Sequence, residues 1–210
     1  MRNRAGRPLQ WAGLVIGIAA IALQFAISVP ASIAAGRSVV GSLVWLFSFF
    51  TILTNILAVL VHAAALRSSA GLLGRAPARG CVAASMALVM IVYHFLLAGL
   101  WAPRGLFLLC DVALHYVTPI LYLCWWGLAG SDGTLRWRDP ARWLAYPLAY
   151  TAWALGRGAV AGEVPYPFLA LDRGVAALAV NIAAIAALFL VLGLAVVLAD
   201  HLFNRTGSPA

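Results

Sequence analysis

Six apolar runs, at roughly 9–30, 41–66, 81–101, 107–129, 142–160 and 175–199, take up most of this chain. A helix that crosses a bilayer needs about 20 predominantly apolar residues. The runs therefore predict an all-α, polytopic transmembrane bundle of six helices forming a single integral membrane domain over 1–210. The fifth run is the weakest, because Pro147 interrupts it; Arg142 and Arg157 flank it, where their charges snorkel to the interfaces. Charged residues make up 10% of the sequence, against about 25% in a soluble domain. The polar stretches between runs are too short for a separate soluble domain.

All 14 basic residues are arginines. Arg2, Arg4, Arg7, Arg67, Arg75, Arg79, Arg136, Arg138, Arg142 and Arg205 fall on one side of a six-span arrangement; Arg37, Arg104, Arg157 and Arg173 fall on the other. An excess of arginine marks the cytoplasmic side, so both termini are expected in the cytoplasm. The net charge of +8 is thus a topology signal, and nucleic acid is not an expected partner. The three cysteines, Cys81, Cys110 and Cys124, form no CxxC and are odd in number, which argues against a disulfide framework.

The first run has a basic start and small residues at Ser32-Ile33-Ala34, as a signal peptide would, but its apolar stretch is long for one. Gly13 and Gly17 form a GxxxG pair suited to close helix contact. Trp45, Trp101, Trp125, Trp126, Trp137 and Trp143 lie near predicted span ends, the pattern of interfacial aromatic belts. Residues 164–169, Val-Pro-Tyr-Pro-Phe-Leu, are apolar enough to lie in the outer interface.

Within the runs sit polar residues that hydrocarbon disfavours: Thr51, Asn55, His94, Asp111, His115 and Asn181. Counting 1.5 Å per helical residue from each span's outer end places Asp111 about 6 Å deep and Thr51 near the midplane, with His94, His115 and Asn181 between them, all in the outer half. His62 instead lies near the cytoplasmic end of its span and reads as structural. Asp111 and His115 are four apart, as are Thr51 and Asn55, so each pair shares a helix face. A carboxylate beside an imidazole, facing a hydroxyl on another helix, is the layout of an activated nucleophile. His115 would take the Thr51 proton, Asp111 would hold the imidazole, and Asn55, His94 or Asn181 would donate to the oxyanion.

Blander readings compete. A membrane threonine commonly bonds the carbonyl four residues back, here that of Phe47. Asn55 and Asn181 suit helix–helix contacts. His94 and His115 on separate helices would also serve as axial haem ligands, and together with Asp111 as metal ligands. Intramembrane Asp and His relay protons in transporters, and a non-enzymatic membrane protein is a further alternative. No phosphate-binding glycine loop, HExxH or GxSxG occurs.

Four segments carry a family likeness: Phe49-Phe50-Thr51-Ile52-Leu53-Thr54-Asn55, Leu114-His115-Tyr116-Val117-Thr118-Pro119, Trp143-Leu144-Ala145-Tyr146-Pro147, and Tyr166-Pro167-Phe168-Leu169 followed by Asn181. In this order, within six spans, they resemble the bacterial branch of the androgen-induced-protein family. The resemblance implies an intramembrane threonine hydrolase of lipid esters, of the kind formed between a fatty acid and a hydroxy fatty acid. It implies Thr51 as nucleophile and His115 as base, the pair that the depth argument selects from the residues alone. No cofactor is expected. The expected partners are membrane lipids and the lipid-ester substrate, with a homo-oligomer as an open alternative, and the expected location is the bacterial inner membrane.

Overall fold

The computed structural model describes residues 2–67, 71–172 and 174–205, and these are helical with no strands. The helices are α1 (Arg2–Ala34), α2 (Val39–Leu46), α3 (Phe50–Leu66), α4 (Ala76–Val92), α5 (Leu106–Val112), α6 (Thr118–Trp125), α7 (Asp139–Trp143), α8 (Ala145–Ala161) and α9 (Gly174–Arg205). In lipid every backbone N–H and C=O must be bonded within the chain, and a helix does this locally.

Among the described residues four helical stretches are long and apolar enough to cross a membrane: Gly6–Ala34, Ala76–Leu97, Leu106–Gly130 and Gly174–Asn204. Counting α2 and α3 as one broken span gives five. The fifth expected span, over 142–160, is less regular: α7 and α8 meet at Leu144, and α8 has 17 residues. Arg173, one of the arginines counted for topology, lies outside the described residues.

The second apolar run was expected as one helix over 41–66, but its two halves, α2 and α3, meet at 75°. The break falls at Phe47–Phe49 and moves Thr51 from mid-helix to the second position of α3. Two tyrosines from later in the chain satisfy the freed backbone groups. Tyr150 Oη donates to the Ser48 carbonyl at 2.8 Å, and the Thr51 amide donates to Tyr166 Oη at 3.4 Å.

Helix α1 packs along α3 and α6, and α4 packs against α3 and α9. The approach of α1 to α3 depends on the GxxxG pair. A Cβ on Gly13 would stand 2.3 Å from His62 Nε2, and one on Gly17 would stand 2.7 Å from Val59 Cγ2. Ala83, Ala84 and Ser85 of α4 are fully buried, the small-residue contact by which membrane helices gain dispersion energy. Trp125, Trp126 and Trp143 are buried in this core rather than in an interfacial belt, because their helix faces turn inward toward α4 and its neighbours. At the end of the bundle remote from Thr51, the fully buried Asp200 accepts from the amides of Asp132, Gly133 and Leu135 at 3.0–3.1 Å. Arg79 bonds the Gly130 and Gly74 carbonyls and the Asp132 carboxylate there.

Candidate active site

Two local irregularities build the site. The first is the α2–α3 break, which puts Thr51 at the positive end of a 17-residue helix dipole. The second is a π-turn at Ala113–Val117, where the Thr118 amide bonds Ala113 O, five residues back. Pro119 accounts for it: proline has no N–H to give the His115 carbonyl, and a regular helix would drive its ring into that carbonyl. His115 sits in the middle of this turn.

Thr51 Oγ1 lies 3.3 Å from His115 Nε2. On the far side of the ring, Nδ1 is 2.9 Å from the Asp111 main-chain oxygen and 3.3 Å from Asp111 Oδ1. A carbonyl oxygen can only accept, so Nδ1 carries the proton. In the neutral imidazole Nε2 therefore presents its lone pair to the threonine hydroxyl. The tautomer was expected to depend on the Asp111 carboxylate; the shorter contact is to the Asp111 backbone.

Tyr93 completes the arrangement. It begins a second π-turn, Tyr93–Leu97, its ring stacks on His115 with centroids 3.7 Å apart, and its hydroxyl donates to Asp111 Oδ2. Tyr93, Asp111 and Thr51 are all buried. One tyrosine thus holds both the imidazole plane and the carboxylate beside it.

The other sequence candidates lie elsewhere. Asn55 is buried directly beneath Thr51, but its amide is committed: Nδ2 donates to Thr51 O at 2.9 Å and Leu114 O at 3.1 Å, while Oδ1 accepts from Thr118. Its role is to tie α3 to the π-turn, and no donor remains for an oxyanion. His94 is exposed and pairs with Tyr116 Oη at 3.1 Å. Asn181 donates to Phe168 O at 3.0 Å, fixing the 164–169 segment. His94 is bonded to Tyr116, and both nitrogens of His115 are engaged, by Thr51 and by Asp111. Among the described residues no group of three His, Cys, Asp or Glu side chains is placed to hold a metal ion.

Residues 164–169 send part of their side chains into the protein core, while Pro167 is exposed. Tyr166 and Leu169 are buried, and the Tyr166 ring meets Phe49 edge-on at 5.8 Å. The Tyr166 hydroxyl, which accepts from the Thr51 amide, stands beside Thr51. Sequence reasoning missed Tyr93 and Tyr166, although both sit beside motif residues it did select: Tyr93 precedes His94, and Tyr166 opens the Tyr-Pro-Phe-Leu segment.

Two cavities meet at this point. A chamber of about 510 Å³ is bounded by Thr51, Asp111, His115, Trp101, Phe107 and Tyr166, and by the C-terminal parts of α1 and α2. A narrower slot of about 60 Å³ lies between α3, α4, α8 and α9, with Leu88, Val89, Leu148, Ile182 and Ile185 in its walls. Thr51, Tyr93 and Tyr166 belong to both. No known family, no characterised protein and no solved structure matches the chain.

Proposed function

We propose that this protein is a membrane-embedded hydrolase of lipid esters with Thr51 as nucleophile and His115 as general base, crossing the bilayer six times with both termini in the cytoplasm. The observation that carries the reading is the Thr51 Oγ1–His115 Nε2 approach of 3.3 Å, with the imidazole tautomer held by Asp111, in a residue shared by two cavities. Catalytic hydrogen bonds are commonly this long before substrate is bound.

Thr51 Oγ1 attacks the ester carbonyl as its proton passes to Nε2. The tetrahedral oxyanion is stabilised by the Tyr166 hydroxyl and the N-terminal dipole of α3. Collapse breaks the ester bond, and the leaving alkoxide takes the proton from Nε2. Water, deprotonated by the same nitrogen, then releases the acyl group from Thr51. Throughout, Asp111 and Tyr93 hold the ring and stabilise its charged form.

The substrate reaches the site from the lipid phase. The apolar slot takes the acyl carbons next to the ester and the chamber takes the alcohol half. The resemblance of residues 49–55, 114–119 and 166–169 to the androgen-induced-protein family supports the same nucleophile, base and substrate class. The ten-to-four bias of arginines described above supports an inner bacterial membrane topology.

The test is labelling of the detergent-purified protein with a lipophilic fluorophosphonate, wild type beside Thr51→Ala and His115→Ala. Labelling is expected in the wild type and in neither variant, with thermal unfolding showing that all three fold. Equal labelling of Thr51→Ala refutes the assignment.

A further inference from the structure

A third cavity, of about 600 Å³, lies at the end of the bundle remote from Thr51 and shares no wall residue with the slot or the chamber. Arg7 and Gln10 of α1, Ala65 near the end of α3 and Arg79 of α4 line it, with main chain at Gly74 and Gly130. Gln10 is buried, and its Nε2 donates to the His62 carbonyl at 3.1 Å, which fixes the first turns of α1 against α3. Arg7, three residues earlier, is exposed. No carboxylate among the described residues lies within ion-pair distance of it. Arg79 is held in place: it donates to Gly130 O at 2.7 Å, to Gly74 O, and to Asp132 Oδ2 at 2.6 Å. Its side chain still keeps 16% of its surface open, and three bonds leave part of the guanidinium fork unoccupied. Asp132 offsets the charge of Arg79, so the cavity retains the charge of Arg7.

The helix surface beside Arg7 indicates what the anion is attached to. Trp11 and Ile18 follow Arg7 on nearly the same face of α1, with Val15 next to them, and each is more than half exposed. This places a tryptophan one turn inward from an arginine, the order of side chains at a headgroup–hydrocarbon boundary. An anion seated at Arg7 has apolar helix surface directly below it, which a lipid chain can cover and a free anion cannot. The size of the cavity bears on the anion itself. One water needs only about 10–15 Å³ of such space, so a lone carboxylate would leave most of the cavity empty, whereas a phosphodiester with its headgroup fills more of it.

We propose that this cavity binds the headgroup of an acidic phospholipid, its phosphate oxygens on Arg7 and Arg79 and one acyl chain along Trp11, Val15 and Ile18. Basic pockets between spanning helices take such headgroups, and arginine pairs readily with phosphate. The lipid belongs to the leaflet at the arginine-rich end of the bundle and acts there as a bound structural partner, not as substrate. The site is independent of the chemistry assigned to Thr51.

The experiment is native mass spectrometry of the full chain in detergent with four probes: phosphatidylglycerol, phosphatidylcholine of the same chains, oleate and inorganic phosphate. Wild type is expected to bind phosphatidylglycerol about fivefold more tightly than phosphatidylcholine, the effect of one arginine at a charged membrane surface. Arg7→Gln, at an exposed position with no ion pair to lose, is expected to bring that ratio to within about twofold. Arg75→Gln removes the same charge from an exposed residue at the same end but outside the cavity, and is expected to keep the preference. Trp11→Ala is expected to weaken both phospholipids about threefold and leave their ratio unchanged. Equal affinity for the two phospholipids overturns the proposal, as does a loss in Arg75→Gln as large as that in Arg7→Gln, which would mean diffuse surface charge. Oleate bound as tightly as phosphatidylglycerol refutes the phosphodiester, and phosphatidylglycerol displaced by an equal concentration of inorganic phosphate refutes the lipid. Unchanged phospholipid affinity in Trp11→Ala refutes the chain's path along α1. None of these readouts involves labelling at Thr51, so failure of either assignment leaves the other standing.

Discussion

Tyr93→Phe isolates the part of the site that orients the base. The substitution keeps the ring stacked on His115 and removes one atom, the hydroxyl that donates to Asp111 Oδ2. Asp111 is 7% exposed, so water does not readily replace that donor. A hydrogen bond to a charged group contributes about 1.5–3 kcal/mol, whereas neutral interhelical bonds in membranes average about 0.6 kcal/mol. Tyr93 joins different helices but reaches a carboxylate, so a loss of about 1.5 kcal/mol is expected. If half or more of that loss falls on the charged imidazole state, the maximal labelling rate drops about three- to tenfold. Because Tyr93 acts through Asp111 and His115, the rate constant of fluorophosphonate labelling should fall while the probe concentration for half-maximal rate stays constant. His115→Ala should lose labelling altogether. A Tyr93→Phe protein that labels at the wild-type rate would refute the claim that this hydroxyl orients the base, as would one whose only change is weaker probe binding.

Asn55→Asp should destabilise the protein more than Asn55→Ala in detergent melts, because a carboxylate cannot donate to the Thr51 and Leu114 carbonyls and instead faces them as a buried like-signed group; a loss of about 2–4 kcal/mol is expected. Gly13→Ala should cost about 1–3 kcal/mol of stability, since its Cβ would collide with the His62 ring and push α1 from α3; an unchanged melting temperature would show that the contact yields freely. Burial alone would raise the Glu163 carboxyl, but the hydrogen bonds from Arg37 and Arg157 outweigh it and hold the group below its usual 4.5. Its contribution is therefore complete above about pH 4.5 and is lost as pH falls through the lower folded-state value. Melting curves taken from pH 7 downward should show that acid loss in wild type, and Glu163→Gln should lack this component.

The candidate pair was legible because helical spacing and span depth are one-dimensional quantities. Asp111 and His115 are four apart in any nearly helical segment, and Thr51 lies within the same leaflet of a neighbouring run. His94 and Asn181 passed the same depth test and Asn55 shares a face with Thr51, yet each is engaged elsewhere, because neither depth nor spacing says which way a side chain faces around the bundle. Tyr93 and Tyr166 read as ordinary aromatic residues near span ends; their hydroxyls acquire meaning only through Asp111 and the Thr51 amide.

The sequence by itself determined that this chain is helical and bilayer-compatible, since long apolar runs in lipid leave the backbone no partner but its own helix. Pro119 likewise dictates a local irregularity next to His115, since a missing N–H cannot be supplied from elsewhere. The tertiary structure decided where the second run breaks and what covers the break. The bond between the Thr51 amide and Tyr166 joins residues 115 apart, and no local propensity encodes such a contact. It also decided that slot and chamber meet at Thr51, because a cavity is the space that several helices leave between them and belongs to none of their sequences alone.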